Sequence, residues 1–78
     1  MGELSSLISD LIDQNRADEA VEFGKLAAEL HSDSPYAHMI AGDAYYANGK
    51  EEKAVEFYAK GLIIDPSHSS LLNRFERF

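Results

Sequence analysis

The sequence predicts an all-α fold built from stacked helix pairs, and three observations predict it. The word Ala20-Val21-Glu22-Phe23 returns as Ala54-Val55-Glu56-Phe57, an offset of 54 − 20 = 34 residues. A fixed period in the range of about 20–50 residues is the mark of a repeat architecture in which each unit buries its apolar face on the next. Apolar residues recur at helical spacing along nearly the whole chain, and nowhere do they alternate with period two. The expected architecture is an α-solenoid fragment, two antiparallel helix pairs followed by a fifth helix.

The elements follow in order. Leu4, Leu7, Ile8, Leu11 and Ile12 form one stripe, predicting a first helix over about 3–14 that ends at Gln14-Asn15-Arg16. Ala17, Ala20, Val21, Gly24, Ala27 and Ala28 form a second stripe of short side chains, which lets a neighbouring backbone come close. That helix stops after Leu30. Ser34 before Pro35 is the pattern of an N-cap with proline at the first helical position, so a third helix starts there and runs to about 48. Asn48-Gly49 stops it, glycine being the usual left-handed residue after a helix. Glu51 and Glu52 open a fourth helix, where the helix dipole favours acids, and Asp65-Pro66 closes it. Ser67-His68-Ser69-Ser70 then reads as a cap for a fifth helix continuing to the end of the sequence, with Leu71, Leu72, Phe75 and Phe78 on one face.

Bulk properties narrow the function. The 78 residues carry a net charge of −7, with seven basic residues and no cysteine. A chain of this size buries only about 60–65% of its unfolded surface, so its core is thin and a partner or a second copy would help it. The acidic excess argues against nucleic acid and anionic membranes as partners, because lysine and arginine supply most phosphate affinity. It favours basic peptides. No apolar run approaches the ~20 residues that span a bilayer, and the N-terminal stretch lacks the basic region of a signal peptide. A cytoplasmic location is the expectation.

Residues 35–68 resemble a tetratricopeptide repeat, a helix–turn–helix whose pattern has small and aromatic residues at set positions and a closing proline. The matching positions are His38, Ala41, Gly42, Tyr45, Ala54, Tyr58 and Pro66; His38 and Ala41 replace the family's usual aromatic and leucine. Residues 1–34 read as a degenerate first unit, its sharpest departure being Gly24 in the slot of a large aromatic. Either Phe23 fills that gap or the helices pack closer. Residues 69–78 correspond to a capping helix or to the first helix of a third unit.

The resemblance implies a protein-interaction scaffold that binds a peptide segment of a partner along a concave groove lined by the first helix of each unit. The groove positions hold Ser5, Ser9 and Ile12, then Tyr36, Met39, Asp43 and Tyr46, then Ser70 and Asn73. This surface is aromatic, apolar and mildly acidic, suiting a basic or apolar segment; tyrosine and methionine offer contact area of adaptable shape. The plainer alternatives are surface aromatics for Tyr36 and Tyr46, a core filler for Met39 and a solvated carboxylate for Asp43. Some members of the family clamp a C-terminal carboxylate with basic residues, but the corresponding positions Ser5, Ser9, Met39 or Ile40, and Asp43 are not basic.

Leu71, Leu72, Phe75 and Phe78 are read either as the inner face of a cap or as an edge through which the chain self-associates into a homo-oligomer. A third reading is a non-catalytic regulatory domain of a larger protein. His31, His38 and His68 lack metal-ligand spacing, no nucleophile motif surrounds the serines, and Asn48-Gly49-Lys50 lacks the glycines of a phosphate loop. No catalytic residue, metal or cofactor is expected.

Overall fold

A computed structural model describes residues 2–78; Met1, the first residue of the 1–34 unit, lies outside them. Among the described residues there are five helices: α1 Gly2–Asp13, α2 Ala17–Leu30, α3 Pro35–Ala47, α4 Glu51–Ile64 and α5 Ser69–Phe75. Each packs on the next in the sequence, and α1 also reaches α3. The turns between them are short, which makes successive helices antiparallel neighbours. The domain is a slab of 31 × 25 × 16 Å.

Local chemistry sets the boundaries. Asn15 adopts φ 62° and Gly49 φ 74°, the left-handed conformation that reverses the chain after α1 and after α3. The Ser34 hydroxyl accepts the Ala37 N–H at 3.3 Å, capping α3 with Pro35 in its first turn. At α5 the cap is His68, whose Nδ1 accepts the Leu71 N–H at 3.3 Å. Ser67 instead donates its hydroxyl to Asp65 Oδ1 at 2.9 Å and shapes the turn after α4.

The helix predicted to reach the end of the sequence stops at Phe75; residues 76–78 continue as a turn, with Arg77 N–H donating to Arg74 O and Phe78 N–H to Phe75 O. Among the described residues of α5 only Leu71 is buried, so little packing holds a further helical turn. The four apolar side chains expected on one face are therefore divided. Leu71 is in the core, Leu72 and Phe75 are part-exposed, and Phe78 turns back over α3.

The core runs through the middle of the slab and includes Ile8, Leu11, Val21, Ile40, Tyr45, Tyr58 and Leu71. Two close approaches decide its shape. A Cβ on Gly42 would meet the Tyr58 ring at 2.5 Å, so α3 and α4 can touch through that ring only because position 42 has no side chain. A Cβ on Gly24 would come within 3.0 Å of the Ala41 backbone. The gap expected at Gly24 is therefore closed by approach of α2 to α3, while Phe23 packs part-buried at the core's margin.

Candidate interaction groove

Helices α1 and α3 run side by side and present the predicted groove between them. Ser5, Ser9 and Ile12 of α1 meet Tyr36, Met39 and Asp43 of α3 around a hollow of about 240 Å³. Ile8, Ile40 and Arg74 complete its wall. The Tyr36 and Ser5 hydroxyls are 2.9 Å apart, tying the two helices across one end. Tyr36 is 40% exposed, whereas Met39 is 6% exposed and so serves the core while flooring the hollow. Tyr46 and Asn73 are exposed but stand outside this hollow.

Asp43 is not a free carboxylate. Its Oδ1 accepts the Tyr58 hydroxyl at 2.6 Å and the Arg74 Nε–H at 2.7 Å, joining α3, α4 and α5 at one atom. Arg74 also donates Nη1–H to the Ser70 carbonyl at 3.2 Å, and its pKa is raised, chiefly by the hydrogen bond to Asp43. The expected acidic spot is thus balanced by a guanidinium that the sequence reading did not place there. The signal existed: Ser70 was read as groove-facing, and Arg74 lies four residues on, one helical turn away on the same side.

Beyond Arg74 the chain covers Tyr46. The Arg77 guanidinium lies 4.9 Å from the centre of the Tyr46 ring, and Phe78 meets that ring edge-on at 5.8 Å. Phe78 also lies 6.1 Å from the Tyr58 ring. Tyr46 keeps 39% of its surface exposed beneath these contacts.

Burial, and then the bond to the Asp43 carboxylate, push the Tyr58 phenol well above its ordinary value near 10. A raised folded-state pKa means that the fold holds the proton more tightly than the unfolded chain does. The stability linked to Tyr58 is fully present below about pH 10 and is lost as pH rises from there through the higher folded-state value. Denaturant midpoints measured from pH 8 to 11 are expected to fall more steeply for the natural chain than for Tyr58→Phe. Parallel curves would show that the phenol does not carry this linkage.

On the other side of the slab, between α2 and α4, lies a hollow of about 430 Å³ walled in part by Lys25, Ser32, Phe57 and Lys60. His38 borders it and is buried, as its place in the repeat pattern implied. Its Nε2 lies 2.9 Å from the Ser32 carbonyl, which assigns the proton to that nitrogen, and its ring stacks near Phe57 at 6.1 Å. Nδ1 is buried without a partner.

Of the predicted edge, Leu71 is fully buried, while Leu72, Phe75 and Phe78 are 42%, 38% and 47% exposed, Phe78 also meeting the Tyr46 ring. No helix among the described residues is long and apolar enough to cross a membrane.

A family model described as Tetratricopeptide repeat matches residues 11–74, most of the chain. The chain is also 33% identical over 54 residues to the Small glutamine-rich tetratricopeptide repeat-containing protein 2 of Mycosarcoma maydis. That alignment covers 69% of this chain and 15% of the relative, so the chain spans a small part of the relative's length.

Proposed function

The chain belongs to the tetratricopeptide repeat family, and from that premise we propose that it binds an extended segment of a partner protein in the groove between α1 and α3. The family is one of protein-interaction scaffolds. In this reading residues 1–34 and 35–68 are its two units and 69–78 its cap, with no catalytic role for any of them. The observation that carries the reading is the hollow itself, where six of the predicted groove residues, Ser5, Ser9, Ile12, Tyr36, Met39 and Asp43, line one surface. Its floor is apolar through Met39 and Ile40, and its rim offers hydroxyls from Ser5, Ser9 and Tyr36. Apolar floors with a few placed polar groups suit side chains of a bound segment, and hydroxyls at the rim suit its backbone. Because Asp43 is engaged by Arg74, the partner's apolar side chains supply most of the contact near the hollow.

A random peptide library selected on the immobilised chain tests this. Enriched peptides are expected to lose at least about tenfold in affinity on a Tyr36→Ala chain whose stability stays within about 1 kcal/mol, as for surface changes. A variant that loses folding and binding together, or a selection that enriches nothing, counts against the groove.

A further inference from the structure

The segment Arg74–Phe78 reads Arg-Phe-Glu-Arg-Phe; Arg74 sits in the wall of the hollow, and Arg77 and Phe78 are seated on Tyr46 of α3, beyond it. Arg74 is bonded to Asp43, Arg77 stands over Tyr46, and Phe78 meets Tyr46 and Tyr58. These contacts bring a cation to a carboxylate, a cation to a ring face and a ring edge to a ring face, each an attractive pairing. Arg74 belongs to α5, which Leu71 anchors, whereas residues 76–78 are exposed and lie outside any helix. What covers Tyr46 is thus held by exposed contacts, the weakest class of each kind.

We propose that the shelf made by Tyr46 with the Tyr58 ring beside it is a docking site for a partner segment in which arginine is followed by an aromatic residue. Residues 76–78 are its resident occupant and leave when the partner arrives. The argument rests on the groove reading above and names the chemistry of the partner at its far end. Two observations select that chemistry over others. The chain's own occupant, Arg77-Phe78, already shows which side chains the shelf accommodates. The net charge of −7 draws a basic segment and repels an acidic one. A site that residues 76–78 fill most of the time binds with an apparent affinity lowered by the fraction that is open.

The probe is a fluorescein-labelled peptide Arg-Phe-Glu-Arg-Phe, titrated by anisotropy into the full chain and into the full chain carrying Arg77→Ser and Phe78→Ser. The substituted chain is expected to bind about tenfold more tightly, the factor for a segment seated about nine-tenths of the time. Adding Tyr46→Ala should abolish the gain, and a peptide with glutamate in place of both arginines should not bind. Amide shifts from labelled chain locate the peptide independently of affinity. Equal affinity for the two chains, or no binding to either, overturns the proposal. Shifts confined to the Ser5–Tyr36 end overturn it while leaving the groove reading intact. Dimerisation of the natural chain that is lost with Arg77→Ser and Phe78→Ser would assign the shelf to a second copy and also overturn it.

Discussion

Tyr58→Ala is expected to leave little folded protein at 37 °C. The Tyr58 ring is fully buried against Gly42, and its hydroxyl is the donor at 2.6 Å to Asp43. Truncating a large buried ring costs about 3–5 kcal/mol, the lost transfer energy plus the cavity left behind. Against this stands a total of about 4–12 kcal/mol for a chain of this length, at roughly 0.05–0.15 kcal/mol per residue. The cavity cannot close easily, because Gly42 offers no side chain to move into it. Tyr58→Phe separates the two contributions: it keeps the ring and removes a hydrogen bond to a carboxylate, at about 1–3 kcal/mol. Since Arg74 still pairs with Asp43 in that variant, the lower end applies. Thermal unfolding followed by far-ultraviolet circular dichroism checks both, at about 4–8 °C per kcal/mol for a domain of this size. A loss below about 1 kcal/mol for Tyr58→Ala would mean that the ring is not the wedge between α3 and α4.

Tyr58 also shows why so much of the fold could be read from the sequence. Helix limits were legible because caps and breakers are local: Ser34-Pro35, Asn48-Gly49 and Asp65-Pro66 act within a turn of themselves. The repeat pattern marks Gly42 and Tyr58 as matching positions, but their contact across α3 and α4 belongs to the tertiary packing. In the first unit the same two slots, 42 − 34 = 8 and 58 − 34 = 24, hold Ile8 and Gly24. Large and small have changed places. Ile8 is buried at 2% exposure, and bare Gly24 lets α3 come against α2. The departure at Gly24 was visible as a gap; that it is closed by backbone approach required the position of Ala41, seventeen residues away, which periodicity does not report.

The candidate groove was legible in the same measure. The repeat resemblance implies which positions face the groove, and Ser5, Ser9, Ile12, Tyr36, Met39 and Asp43 line one hollow. What spacing does not reveal is which charges find each other between helices. Asp43 and Arg74 are thirty-one residues apart in the sequence. Their pairing converts an expected acidic spot into a neutral junction. The end of α5 departs from the apolar period for a related reason: the period continues to Phe78, but it holds a helix only where the stripe has something to pack on. Once the helix stops at Phe75, Phe78 follows a turn instead and reaches Tyr46.

The same reasoning makes Leu71 the residue on which α5 depends. It is fully buried, and a Cβ placed on Gly61 would meet its Cδ1 at 2.7 Å, so leucine fills the space that this glycine leaves between α4 and α5. Leu71→Ala is expected to cost about 2–5 kcal/mol at that contact. Since no other described side chain of α5 is buried and its further tie is the part-exposed Arg74–Asp43 pair, the loss is expected to appear as local release rather than uniform weakening. Hydrogen exchange should show protection lost across Ser69–Phe75 while α2 and α3 keep theirs. The Arg74 contact to Asp43 and the covering of Tyr46 should go with it, because both are carried by α5 and the turn that follows. Arg74→Ala is the control: it removes the ion pair, part-exposed on both sides, and is expected to leave α5 protected. If Leu71→Ala instead lowers protection equally in every helix, α5 is cooperative with the whole stack, and the groove's far end is as fixed as its core.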